Sequence, residues 1–282
     1  MGDETLIHTG IDFDRQGTQS GHLSSPYSYN LGGWANLLVP LTVIRNGDGP
    51  TVLAMAGNHG DEYPGQVAIL KLCRELDERG ISGRLILIPC LNPPASKAGT
   101  RLSPLDGRNF NRCFPGNPRG SVSEMLAHYL SAVLFPMADV VIDLHTGGRS
   151  LNFLPCAHMH LVPDLTQRAA MLRATEAFGA DVAFLYADVA GAGLLPTEAE
   201  RQGKIVVTTE MGGGEPVSAR IHRMCQDGLR NVLIHFGVLP GTVPARKARW
   251  VQSLDPSDYR FAPESGIYEN CVDLGDAVRR GD

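Results

Sequence analysis

Five stretches of the chain are apolar almost without interruption: "LLVPLTVIRN", "TVLAMAGN", "GRLILIPCLN", "ADVVIDLH" and "GKIVVTTE". Short apolar runs bounded by Gly, Pro or Asn predict strands covered on both faces. The turn signal "NGDGP" joins the first two. Between the strands the period lengthens. In "PGQVAILKLCRELDERG" the apolar residues Val67, Leu70, Leu72, Cys73 and Leu76 form a helical stripe, with Gly80 as its stop. "SVSEMLAHYLSAVLFPM" predicts a helix opened by a Ser121/Glu124 capping box. "PDLTQRAAMLRATEAFG" and "PVSARIHRMCQDGLRNVLIHFGVL" predict two more. Strands alternating with helices from about residue 40 to 240 predict an α/β domain, its mixed or mostly parallel sheet flanked by helices.

Two segments break this rhythm. Residues 93–120, "PPASKAGTRLSPLDGRNFNRCFPGNPRG", form a long polar stretch rich in Pro and Gly, the kind of loop that carries function. After Gly241 the texture becomes that of short strands, in "VPARKARWVQS" and "YRFAPESGIYENCVDLGDAVRRGD". We therefore expect a catalytic domain over residues 1–240 and a small β module over 241–282. The chain stops directly after a turn, which leaves a strand without its return partner, so the module reads as truncated.

Composition narrows the function classes. Among 282 residues, 43% are hydrophobic and 20% charged, with a net charge of −5. There is no basic footprint for nucleic acid or an anionic membrane. No run is long enough to span a bilayer, and the N-terminus has no basic segment followed by an apolar one. The six cysteines include no CxxC pair, which predicts reduced, mostly buried thiols and a cytoplasmic protein. Cys113 is expected to be a small packing residue.

The chemistry collects where three strands end. "AMAGNHGDE" supplies His59 and Glu62, "VVIDLHTGG" supplies Asp143 and His145, and "IVVTTEMGGG" supplies Glu210. Ligands of open α/β sheets bind beyond the carboxyl ends of the strands. Two histidines and a glutamate match a common catalytic zinc set, which keeps one coordination position for water and lowers its pKa. His59, Glu62 and His145 are thus expected to hold one Zn²⁺ per chain. A further carboxylate must then move protons, and Glu210 is the candidate. Singly, each residue has a bland explanation as a cap, a core histidine or a paired strand-end acid. Together, each at a strand end followed by glycine, they point to a site. The long loop adds Arg101, Arg108 and Arg112 with Asn109 and Asn111. A guanidinium fork binds carboxylate bidentately, and an arginine beside a metal stabilises a developing oxyanion.

"GNHGDE", "DGRNFNRCFPG", "VIDLHTGG" and "TTEMGGG", in this order, resemble the succinylglutamate desuccinylase/aspartoacylase family, relatives of the zinc carboxypeptidases. The resemblance covers about residues 40 to 240. It implies a zinc-carboxypeptidase-like fold, His59, Glu62 and His145 as zinc ligands, and Glu210 as general base and acid. It implies that Asn111 and Arg112 grip the substrate carboxylate. The arginine that polarises the scissile carbonyl remains either Arg101 or Arg108, because the loop is spaced differently from aspartoacylase. Within the family, "HLSSPYSYNLGGWANLLVPLTVIRNGDGPT" and "AGTRLSPLDGRNFNRCFPG" look most like the members that deacetylate Nα-acetyl-2,4-diaminobutyrate in ectoine breakdown. The implied reaction is hydrolysis of a small N-acyl amino acid. Desuccinylase, aspartoacylase and carboxypeptidase-like activities are the alternatives, and a non-catalytic metal-binding module is the reading of a different class. A diaminobutyrate side chain would call for an acid in the pocket, and Asp188, Glu198 and Glu215 are available. The expected partners are a small N-acyl amino acid and neither nucleic acid nor membrane. A homo-oligomer is compatible with the chain, associating through an edge left by the truncated tail.

Overall fold

The computed structural model describes residues 5–30, 32–187, 193–214 and 217–279. Nine strands form one mixed sheet: β1 (Gly17–Tyr29), β2 (Gly32–Asn46), β3 (Thr51–Ala56), β4 (Gly83–Ile88), β5 (Val140–His145), β6 (Cys156–His160), β7 (Val182–Tyr186), β8 (Ile205–Glu210) and β9 (Arg249–Ser253). Their order across the sheet is β1-β2-β4-β3-β5-β8-β6-β7-β9. The four central strands β4, β3, β5 and β8 run parallel; β2 on one side and β6, β7 and β9 on the other run against them, and β1, antiparallel to β2, runs with them again. β3, β4 and β5 are buried along their whole length except at one residue of β4, which suits their unbroken apolar runs.

Helices cover both faces. α1 (Tyr63–Glu75), α5 (Leu165–Phe178) and α7 (Ala219–His235) place Ile69, Phe178 and Leu229 against one face, with Ala54, Ile142 and Val207 of the sheet. α3 (Val122–Tyr129) and α6 (Leu195–Arg201) place Leu126, Leu195 and Ala199 against the other, with Leu53, Val141 and Val206. Short helices complete the set, α2 (Pro93–Ala98) at the start of the long loop and α4 (Phe135–Met137) at the end of the α3 segment. The Ser121/Glu124 capping box is formed in both directions. α1 ends at Glu75, before the expected stop at Gly80, and a 3₁₀ turn at Glu78–Gly80 follows.

The chain visits β3 and β4, then returns to the other flank of β3 to lay down β5. The strand order therefore reverses at β3/β5, and the carboxyl ends of these strands make the crevice in which such sheets bind ligands.

The C-terminal segment differs from expectation. "RWVQS" forms β9, but it pairs in parallel with β7 as the edge of the main sheet. Past Ser253 the described residues carry a single 3₁₀ turn at Pro256–Asp258 and no strand. Phe261, Ile267 and Tyr268, expected on short strands, are exposed.

The first turn after β3 shows why glycine stands in "GNHGDE". Gly57 has φ +70, and its carbonyl accepts from Asn92 N at 2.9 Å. Gly60 has an ordinary φ, yet a Cβ there would lie 1.9 Å from the carbonyl carbon of Ala95 in α2. The turn and α2 are thus in backbone contact. Overpacking costs about 1–3 kcal/mol where side chains can yield, and here none can. Gly60→Ala should therefore lose about 3 kcal/mol of stability in urea denaturation, and an unchanged midpoint would contradict this packing.

Candidate active site

Three strand ends meet at the crevice. β3 leads through Gly57 and Asn58 to His59. His145 is the last residue of β5, and Glu210, the last of β8, is its direct neighbour in the parallel register. Glu62 occupies the N-cap position of α1 without capping the helix through its side chain. Its carboxylate turns back to the strand ends instead. Oε1 lies 2.7 Å from His59 Nδ1, and Oε2 lies 2.8 Å from His145 Nδ1 and 3.1 Å from the backbone N of Thr146, which donates to it. All three side chains are buried, and one ligand atom from each lies within 4.8 Å of the others.

The outer nitrogen of each ring is also engaged. His59 Nε2 lies 3.0 Å from Asn109 Oδ1, and His145 Nε2 lies 2.8 Å from Asp143 Oδ2. The Asn109 oxygen also accepts from the backbone N of Asn111 at 3.0 Å, which fixes its orientation. A neutral imidazole has one N–H. With that proton given to the outer oxygen, each Nδ1 turns its lone pair towards Glu62. Two lone pairs and a carboxylate converging in a buried space fit a cation, and outer-sphere oxygens on ligating histidines are a usual part of metal sites. The residues present thus fit a metal of the zinc type.

The ionisable groups of the cluster bias one another. Burial opposes the charge on Glu62, but the charge of His145 and hydrogen bonds from both rings outweigh it and hold its pKa at about 2. His145 is also disfavoured as a cation by burial, yet Asp143 and Glu62 push its pKa well above the ordinary value. Glu210 is pushed up to about 8, chiefly by burial, with His145 and Arg101 pulling it down and Glu62 and Asp143 pushing it up. Its Oε2 is withdrawn from solvent and has no hydrogen-bond partner. A carboxyl group poised near neutrality beside a candidate metal centre is suited to exchange protons.

The loop residues separate. Arg101 reaches into the cluster, its Nη1 being 3.3 Å from His59 Nδ1 and 3.5 Å from Glu62 Oε1. Arg108 turns outward and pairs with Glu124 at 3.3 Å. Asn111 is buried, and its Oδ1 accepts from the backbone N of Leu195 at 2.7 Å, tying the loop to the start of α6. Arg112 is exposed and donates from Nη1 to the carbonyl of Asn111 at 2.7 Å. Cys113 is buried against the Asn109 carbonyl, its thiol pushed up to about 11 chiefly by burial, so it packs rather than reacts. All six cysteines are free.

Of the acids considered for a substrate side chain, Glu198 is committed to Arg201 and Gln202. Asp188 and Glu215 lie outside the described residues. Asp143 and Asn109 received no role from sequence. An Asp two residues before His on one strand puts both on the same face, and that was the available signal for Asp143. A cavity of about 950 Å³ lies behind the same strand ends, lined by Asp61, Thr146, Arg149 and Met211 among others, and none of the three candidate ligands lines it.

The succinylglutamate desuccinylase/aspartoacylase catalytic domain matches residues 48–236, and the chain belongs to this family. It is 42% identical over 277 residues to the N-alpha-acetyl-L-2,4-diaminobutyric acid deacetylase of Halomonas elongata, covering 98% of this chain and 81% of that protein. The product-bound structure of the ectoine utilization protein EutE (DoeB) from Ruegeria pomeroyi superposes with a TM-score of 0.94 at 41% identity, covering 97% of this chain and 84% of the other. A succinylglutamate desuccinylase structure from Silicibacter sp. TM1040 gives a TM-score of 0.94 at 40% identity, covering 99% and 85%. Among the described residues no helix is long and apolar enough to cross a membrane.

Loss of an outer-sphere partner typically lowers metal affinity about 10–100-fold. Asp143→Ala should weaken metal binding by that factor in a chelator competition, with His145 still present. Unchanged affinity would remove Asp143 from the site.

Proposed function

We propose that this chain is a zinc-dependent amidohydrolase that releases acetate from Nα-acetyl-L-2,4-diaminobutyrate. The observation that carries the chemistry is the pair of imidazoles whose Nδ1 atoms face Glu62 while their Nε2 atoms are anchored by Asn109 and Asp143. The deacetylase relative at 42% identity supports the substrate. His59, Glu62 and His145 would hold the metal. When bound, zinc acidifies a water molecule and polarises a carbonyl.

The chain's own residues supply the rest. Glu210, the strand-end carboxylate beside His145, in its ionised form takes a proton from the attacking water and gives it to the departing amine. Arg101, already at the rim of the cluster, stabilises the oxyanion that forms on the acyl carbon. Arg112 offers an exposed guanidinium to the α-carboxylate, and Asn111, its Oδ1 committed to α6, retains its amide N–H group as a donor to the same carboxylate. The free cysteines support a reducing cytoplasm as the place of work.

The structural similarity to a succinylglutamate desuccinylase favours a second reading, in which the acyl group is succinyl and the amino acid acidic. kcat/KM on acetyl-diaminobutyrate, N-acetylaspartate and succinylglutamate, measured on zinc-loaded protein, separates the two. Preference for an acidic substrate would discard the diaminobutyrate assignment and keep the deacylase class.

Glu210→Gln should lower kcat by roughly 10²–10⁴, the scale of general acid–base catalysis, with metal content retained. Loss of metal in that variant would make Glu210 a ligand instead. Arg101→Ala should lower kcat by about 10²–10³, the usual loss for one oxyanion donor. Arg108→Ala should stay close to the parent, and the reverse ranking would exchange their roles.

A further inference from the structure

The two imidazoles of the cluster are anchored by groups of unlike charge. His145 Nε2 lies 2.8 Å from Asp143 Oδ2, on a carboxylate fully buried in β5. The other oxygen of that carboxylate, Oδ1, is shielded from solvent and has no hydrogen-bond partner. The negative charge of Asp143 is therefore directed at His145. His59 Nε2 lies 3.0 Å from Asn109 Oδ1, and here the acceptor is a neutral amide. Its oxygen is also shared, because the backbone N of Asn111 donates to it at 3.0 Å. Arg101 sets a cation against the same ring, with Nη1 3.3 Å from His59 Nδ1.

The packing does not require an amide at position 109. Both partners of the side chain are N–H groups that meet its oxygen, and among the described residues its Nδ2 group donates to nothing. An aspartate has the same shape and would accept both bonds. What the amide changes is charge. Glu62 and Asp143 bring two negative charges, which offset a divalent cation, and Arg101 adds a positive one. Once Glu210 has taken its proton, such a centre keeps one net positive charge to meet an oxyanion. A carboxylate at position 109 would cancel it. A charged acceptor also bonds an imidazole N–H more strongly than a neutral one, and makes the ring the more basic ligand.

We infer, on the metal reading of the cluster given above, that Asn109 is a positioning residue that fixes the His59 ring while leaving it the weaker of the two imidazole ligands. The neutral anchor lowers metal affinity and keeps the centre electron-poor, which suits the polarisation of a carbonyl. The charged anchor sits on the buried strand β5. The neutral one sits on the long loop, where Asn109 opens the 3₁₀ turn Phe110–Arg112.

Competition between the intact chain and a zinc chelator at fixed pH and ionic strength, with Zn²⁺ as the only metal, tests this. Asn109→Asp should bind Zn²⁺ about 10-fold more tightly than the parent, while kcat of the zinc-loaded variant falls about 10-fold, the lower end of the range for outer-sphere changes. kcat is read on whichever of the three substrates named above the parent turns over fastest. A purely structural role for Asn109 would not give opposite signs, because a loosened ring loses affinity and turnover together. Asp143→Asn should weaken Zn²⁺ binding, and the double variant Asn109→Asp/Asp143→Asn, which moves the carboxylate from one ring to the other, should regain most of that loss. A parent that binds no Zn²⁺ would overturn the metal reading and this inference with it. A parent that binds Zn²⁺ while Asn109→Asp binds it no more tightly, or more tightly with kcat unchanged, would overturn the inference alone. So would an Asp143→Asn variant with the parent's affinity, which keeps the test decisive if Asn109→Asp does not fold.

Discussion

The Glu62 carboxylate is the interaction on which the site depends. It receives one imidazole from its own turn, His59, and the imidazole of His145 and the backbone N–H of Thr146 from a strand end more than eighty residues away, all buried. A carboxylate in such a place is costly unless every oxygen is partnered. The neighbouring structure satisfies that demand. β3 and β5 must be adjacent and parallel for His59 and His145 to approach from two sides, and α1 must begin close beneath them for Glu62 to turn back. The adjacency of β5 and β8 then sets Glu210 beside His145. Burial that would be a liability for isolated charges becomes an arrangement able to hold a cation and a proton donor side by side.

Much of the surrounding packing serves this convergence. Gly60 allows the turn after β3 to touch the backbone of α2, and the long loop returns Asn109 to the outer nitrogen of His59. Asn111 ties the same loop to the start of α6. The loop is therefore not a free lid. Its backbone and amide side chains brace one imidazole while Arg101 alone among its arginines reaches the centre. At one edge of the sheet the β1–β2 hairpin runs past the carboxyl end of β4, the end of the sheet at which the candidate site lies.

The central strands and main helices were legible because each has one period along its length. β3, β4, β5 and β8 are continuous apolar runs, and α5 and α7 end or begin at recognisable caps. β1, β6 and β7 were not legible. β1 is polar on most positions, and "CAHMH" alternates without an obvious apolar run, although all five of its residues are buried. Burial by tertiary neighbours, not local composition, made these segments strands. The tail failed for the opposite reason. Its alternating aromatics suited short strands, but only "RWVQS" found a partner edge, at β7.

Sequence alone determined the residue types of the site. His59, Glu62, His145 and Glu210 each follow or end an apolar run, and the chemistry of two histidines with a carboxylate does not depend on the details of the fold. It could not choose between Arg101 and Arg108, seven residues apart in one irregular loop, because no period constrains the direction of a side chain there. Tertiary structure separates the two, sending Arg101 to the cluster and Arg108 to Glu124. It also decided which oxygens hold the outer nitrogens of the two rings. Asp143 sits on the strand of its histidine, but Asn109 comes from fifty residues beyond His59. Contacts of that separation arise only when the strands have found their order, and so the local pattern could name the candidate ligands but not their support.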